Sequence, residues 1–197
     1  MSDGIRLRTL ERTELARIGE IDRTERIDVI YRLQGQRLEE VRGEWSAQPW
    51  RQGAGEHSVA EQQEALVGYA DAGGIPLGAF SGESLVGIGV VVPHLRPGLA
   101  QLAYLHVSNG FRASGIGGKL CDRLEELAIE AGNTEMVVSA TPSENTVRFY
   151  LNRGFRLETE PLPELVELEP HDIHLRKKLW GPTGRSLGKE SSFAQGK

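Results

Sequence analysis

The residue types best suited to chemistry lie together in Val107-Ser108-Asn109-Gly110-Phe111-Arg112-Ala113-Ser114-Gly115-Ile116-Gly117-Gly118-Lys119-Leu120. An apolar strand runs through a short turn into Arg-x-x-Gly-x-Gly and then directly into an amphipathic helix. Glycines that open a helix let backbone N–H groups approach an anion closely, and the helix dipole adds positive potential at that spot. The chemistry implied is the cradling of a phosphate or pyrophosphate. Arg112, Gly115 and Gly117 form the cradle, and Ala113, Ser114, Ile116 and Gly118 contribute mainly through their amides.

Two common phosphate loops are excluded by register. A P-loop needs a glycine five residues before Gly-Lys and a Ser or Thr after it. Gly118-Lys119 has Ala113 at the first position and Leu120 at the second, so no magnesium-binding hydroxyl is present. A dinucleotide fingerprint needs Gly-x-Gly-x-x-Gly. Gly115 and Gly117 supply two glycines, but position 120 is leucine, and no βαβ unit opens the chain.

The loop resembles motif A of the GNAT acyltransferase superfamily, Arg/Gln-x-x-Gly-x-Gly/Ala between the fourth strand and the third helix. Asn145-Thr146-Val147-Arg148-Phe149-Tyr150-Leu151-Asn152-Arg153-Gly154-Phe155 resembles motif B, with its Asn, its Phe-Tyr pair and its Gly-Phe helix exit. The two stand in the family's order and spacing, and the resemblance covers roughly residues 3 to 180. It implies an α/β fold: a mixed, mostly antiparallel sheet of six to seven strands flanked by helices. It implies acetyl-CoA as co-substrate, with its pyrophosphate on the loop amides. Its pantetheine arm would lie along backbone groups of the fourth strand, here Leu105, His106 and Val107, in a splay between strands four and five. The activity implied is N-acetyl transfer to an amine of a small molecule or peptide, by direct attack in a ternary complex. The alternative is a non-catalytic acyl-CoA sensor or a partner-binding module of the same fold.

By the same resemblance Tyr150 is the catalytic residue, its phenol protonating the departing thiolate; the competing reading is a tyrosine that packs against the sheet. Asn145 has two readings, a coenzyme contact or a cap for its own helix turn. The general base is where the chain departs from well-known members, which carry Glu or His on the fourth strand. Those positions fall on Gln101 and Ala103, and neither takes a proton at neutral pH. His106 has the opposite parity along the strand, so its side chain belongs to the other face. Glu39, Glu40, Glu44 and His94 are the substrate-side acids and bases that remain. The histidines show no metal-binding pattern, and His171 and His174, three apart on a strand, face opposite sides; no metal is expected. Cys121 shares a helix stripe with Leu120, Leu124 and Leu127 and reads as a buried thiol. Trp45 and Trp50 flank Pro49 and could line an acceptor pocket.

The elements that must position these residues follow from periodicity. Ile5 to Thr9 alternates as a strand. Thr13 is placed to cap a helix carrying Leu15, Ile18 and Ile21. Residues 27–44 read as a β-hairpin punctuated by Gly35, against a Gly-interrupted helix. Ser58 with Glu61 forms a capping box for a helix that ends at Gly73-Gly74. Strands at about 75–81 and 84–92 follow, closed by Pro93 and Pro97. A strand at 101–108 enters the loop, its helix ends at Gly132, and Met136 to Ala140 is the strand before the motif B helix. Strands 154–160 and 171–179, separated by a Pro-rich acidic loop, complete the fold. The region 25–74 is expected to set the acceptor.

Bulk properties fit one soluble domain at residues 1–180 with a Gly/Ser/Lys-rich tail at 181–197 that is expected to be disordered. The 197 residues, 39% of them hydrophobic, suffice for a core, and the mean hydropathy of −0.35 is ordinary. No signal peptide or membrane-length apolar run is visible, so no membrane partner is expected. A single cysteine fits a reducing cytoplasm. The net charge of −5 argues against nucleic acid and is compatible with a cationic amine. The oligomeric state is not legible, though homodimers are common among proteins of this type.

Overall fold

The computed structural model describes residues 4–180. Alternating residues give β1 (Arg6–Thr9) as an edge strand, followed by a 3₁₀ helix at Arg12–Glu20 whose Leu15 and Ile18 are buried. Its cap is not Thr13. The Glu14 carboxylate accepts from the Glu11 N–H at 3.0 Å, so the helix starts ahead of the expected threonine. Residues 25–47 form a hairpin, β2 (Glu25–Gln34) and β3 (Arg37–Ala47), turned at Gly35 with φ +60°. It stands as a separate two-stranded sheet. In α1 (Val59–Asp71) the Ser58 hydroxyl accepts from the Glu61 N–H at 3.1 Å, one half of the expected capping box, while the Glu61 carboxylate accepts from the His57 N–H instead of that of Ser58.

The main sheet adds β4 (Ile75–Ser81), β5 (Ser84–Arg96), β6 (Leu99–Val107), β7 (Glu135–Ala140), β8 (Arg156–Leu157) and β9 (Ile173–Lys178). Its order is β1-β4-β5-β6-β7-β9-β8, and only β6 and β7 run parallel. Two expectations are corrected. Pro93 does not close β5, which runs to Arg96. The ladder to β6 is irregular between Val92 and Arg96, so a residue without an N–H is tolerated there. The strand expected at 154–160 shrinks to two residues, and the acidic loop after it folds into α4 (Pro163–Leu168), with proline in its first turn. The tail from residue 181 and the first three residues lie outside the described residues.

Helices cover both faces of the sheet. On one, Ile116, Leu120 and Leu124 of α2 (Ile116–Glu130) and Val147 and Tyr150 of α3 (Glu144–Asn152) pack with Val138 and Leu175. On the other, Leu15, Ile18 and Leu66 pack with Phe80, Ile88 and Val90. Glycines on β5 bring α2 close. A Cβ at Gly89 would stand 2.6 Å from Leu124 Cδ1, and one at Gly87 3.0 Å from Leu120 Cδ1. That close seat fixes where the N-terminus of α2 points.

Candidate active site

β6 and β7 pair at Leu99–Glu135, Ala100–Met136 and Gln101–Val137 and then part, although β6 continues to Val107 and β7 to Ala140. One edge of β6 is therefore free over its second half. Backbone groups alternate sides along a strand. The Ser108 N–H donates to the Val86 carbonyl on β5 at 2.9 Å, so Val107 and Leu105 turn their amides and carbonyls to the open edge. The Val107 carbonyl duly accepts from Arg112 Nε at 3.2 Å. The main chain of His106 faces β5, which removes it from the backbone groups expected along the splay.

The loop that follows is shaped by two left-handed residues, Ala113 at φ +58° and Gly115 at φ +83°. Gly115 is the N-cap of α2, and the first intrahelical bond runs from the Lys119 N–H to the Gly115 carbonyl at 3.1 Å. The N–H groups of Ile116, Gly117 and Gly118 are thus without intrahelical partners. Among the described residues those of Ala113, Ser114 and Gly115 have no hydrogen-bonded acceptor either. This row of free amides at a helix N-terminus can hold an anion without any side chain. A Cβ on Gly117 would meet Phe149 at 3.4 Å and Val107 at 3.6 Å, ordinary contacts that leave the space above the amides open.

Arg112 is not free in front of this loop. Its guanidinium forms an ion pair of 3.0 Å with Glu25 and donates to the Val107 carbonyl and, at 3.2 Å, to the Arg23 carbonyl. Glu25 also accepts from Asn145 Nδ2 at 2.8 Å, so one carboxylate joins the arginine of the first motif to the asparagine of the second. Asn145 does not cap its helix; the Ser143 hydroxyl does, accepting from the Thr146 N–H. These residues, with the hairpin base at 24–26 and 46–48 and Asn109, line a cavity of about 560 Å³.

Tyr150 is buried on α3, edge-on to Phe149 and Phe155 at 5.1 and 5.4 Å between ring centroids. Its hydroxyl has no hydrogen-bond partner among the described residues. Among the described residues, Arg23 Nε and Arg153 Nε are side-chain atoms both buried and unpaired. Burial pushes the pKa of Tyr150 up, so the phenol stays protonated and can only donate. Asp172, just ahead of Ile173 where β9 pairs with the end of β7, is pushed up to about 7 by burial and then by Glu169. The Tyr150 phenol senses its charge.

On the opposite face of β6, Tyr104 and His106 lie side by side at 4.9 Å, and Trp50 stands 5.8 Å from His106. The Trp50 indole donates to the Ile21 carbonyl at 2.7 Å and carries the Arg23 guanidinium over its ring at 4.8 Å. Burial, then the charges of Arg23 and Arg112, push His106 down to about 4, which leaves it neutral and a weak base at pH 7. Trp45 lies on the hairpin, folded over Gly43. Gln101 is buried in the paired part of β6. Cys121 is fully buried, its thiol pushed up to about 12 by burial and by Glu125. Glu40 is occupied by Tyr31 of the hairpin and Arg148 of α3, while Glu39, Glu44 and His94 are exposed. His174 turns to Ser139 at 3.1 Å, and no cluster able to hold a metal occurs among the described residues. Glu25, Arg23 and Asp172 were missed by sequence reasoning. Nothing in their local pattern separates them from the chain's other charged residues.

The family model described as the acetyltransferase (GNAT) family matches residues 26–155. A nourseothricin acetyltransferase superposes with a TM-score of 0.66 at 16% identity, over 89% of this chain and 98% of its own. The PaiA N-acetyltransferase from Thermoplasma acidophilum, solved in complex with coenzyme A, gives 0.59 at 17% identity, over 89% and 99%. A GNAT family acetyltransferase from Elizabethkingia anophelis with acetyl-CoA bound gives 0.50 at 20% identity, over 59% and 82%. At such identities the likeness shows the shared fold. Among curated proteins no sequence matches the chain.

Proposed function

The chain belongs to the GNAT acetyltransferase family, and we propose that it moves the acetyl group of acetyl-CoA to an amine nitrogen by direct attack in a ternary complex. The observation that carries this reading is the conjunction of free loop amides with a free edge of β6. Pyrophosphate binding at residues 113–118 aims the pantetheine arm along Leu105 and Val107, whose outward amides and carbonyls are the groups an amide-bearing chain requires. Arg112 and Asn145, linked by Glu25, stand at the side of that path. The two structural relatives solved with coenzyme A or acetyl-CoA support the choice of co-substrate.

In the reaction the amine lone pair forms the N–C bond and the C–S bond breaks with its electron pair on sulfur. The ammonium proton is lost and one proton is taken up by the thiolate. Tyr150 is assigned the second transfer. Its phenol is protonated, unpaired and buried, and the same desolvation that raises its pKa makes a thiolate beside it more basic. No base stands at Gln101 or Ala103, and His106 is too weak, so the amine loses its proton to solvent. An amine of a small molecule or peptide is the acceptor class, consistent with the net charge of −5.

The test is thiol release from acetyl-CoA in the presence of an amine panel, for the wild type and Tyr150→Phe. The expected result is turnover by the wild type, a loss of about 100-fold in kcat for the variant, and an acetyl-CoA affinity changed by less than threefold. Wild-type binding with no thiol release for any amine would instead describe a non-catalytic acyl-CoA sensor.

A further inference from the structure

Arg23 is the one arginine of the described residues with a sealed Nε on the acceptor-facing side of β6, and no hydrogen bond or ion pair engages its side chain. The residue is partly exposed, yet desolvation is enough to push its pKa down, and no acceptor within the protein offsets that cost, which a partner arriving from outside would. Its surroundings are rigid. The neighbouring Asp22 carbonyl accepts from the Asn109 N–H at 2.8 Å, and the Arg23 carbonyl accepts from Arg112, so the segment is stitched to the loop that opens α2. The guanidinium lies over Trp50, whose own ring is held by Ile21.

The groups that face it form no ion pair with it. Tyr104 spends its hydroxyl on Gln62 at 2.7 Å, and His106 is neutral. Glu61 is the carboxylate whose charge reaches Arg23. It already accepts from the His57 N–H at 2.7 Å and from Gln62 at 3.2 Å, and it forms no ion pair. Tyr104 and His106 belong to the half of β6 that has parted from β7, on the face away from α2. α2 and α3 occupy the other face, whereas Arg23, Trp50, Tyr104 and His106 are each partly exposed on this one, which makes it the side from which an amine can reach the free edge of β6.

We propose that Arg23 determines acceptor specificity by binding a carboxylate on the acceptor, so that the substrate class is an amine that also carries a carboxylate. The inference rests on the acetyltransfer reading above. A guanidinium held over an aromatic ring presents a planar fork that matches a carboxylate bidentately, and a polycationic amine would be repelled by it.

A competition assay tests this. The protein receives acetyl-CoA, an equimolar mixture of α- and ω-amino acids, and an equal amount of the matched amino acid amides, and mass spectrometry counts the N-acetyl products. The expected result is at least tenfold more acetylated acid than amide. Arg23→Met, which keeps the aliphatic stem, abolishes the preference, Arg23→Lys retains part of it, and the acetyl-CoA affinity of both variants by calorimetry stays within twofold. Equal products, an excess of amide, or an acid preference that survives in Arg23→Met overturns the proposal. So does an absence of both products while acetyl-CoA still binds, which leaves the coenzyme reading standing. Failure of the wild type to bind acetyl-CoA removes both.

Discussion

Tyr150 and Asp172 show how burial sets what a single group can do. The phenol is kept protonated by its apolar surroundings, which suits a donor and excludes a base. The carboxyl is pushed up to about 7 from the ordinary 3.8, so folding takes up a proton at that site over the interval between the two values. Its contribution to stability is present below about pH 4 and is lost as pH rises through 7. Asp172→Asn removes that penalty. Its melting temperature is expected to match the wild type near pH 4 and to exceed it by a widening margin up to pH 8. A margin that is constant with pH would show that the carboxyl titrates at its ordinary value in the folded protein. Residue identity alone hides such behaviour. Nothing in the string Glu169-Pro170-His171-Asp172 separates one acid from the other, because the difference lies in what packs around them.

The hairpin β2–β3 is the element that ties acceptor side to loop. Its first residue, Glu25, pairs with Arg112 and receives Asn145, while the Tyr31 N–H donates to the Pro142 carbonyl at 2.7 Å beside the start of α3. Glu25→Gln leaves Arg112 on its two carbonyl acceptors and removes a partly buried ion pair worth about 1 kcal/mol. For a chain of this length that corresponds to a fall of roughly 3 °C in melting temperature. The same change raises the positive potential at the loop, so acetyl-CoA affinity is expected to hold or to tighten. A tenfold weaker affinity by calorimetry would mean that Glu25 shapes the loop itself. The hairpin was readable from the alternation of Val29, Tyr31 and Leu33 and from Gly35. Its docking was not, since partners 117 and 120 residues away in sequence, Arg148 on Tyr31 and Asn145 on Glu25, leave no local mark. Pro93 misled for a related reason. A proline ends a regular ladder, but β5 is irregular there and runs on.

At the scale of the whole molecule, the glycines of β5 seat α2, α2 aims its free amides, and the parting of β6 from β7 leaves an edge of β6 free. The two motifs, Arg112 to Gly118 and Asn145 to Phe155, were legible because each lies in one run of sequence. The cluster of Arg23, Trp50, Tyr104 and His106 was not, because its members come from three separate stretches and meet only in the fold. The central claim is that the loop binds acetyl-CoA, and calorimetric titration of the wild type and Gly117→Glu tests it most directly. The substitution meets only ordinary contacts at Cβ, so the protein still folds, while a carboxylate enters the anion site. The expected result is a wild-type Kd on the order of 10 μM, about −7 kcal/mol, weakened at least 30-fold in a variant that melts as cooperatively as the wild type. Absence of saturable binding by the wild type, or equal binding by both proteins, would contradict the account.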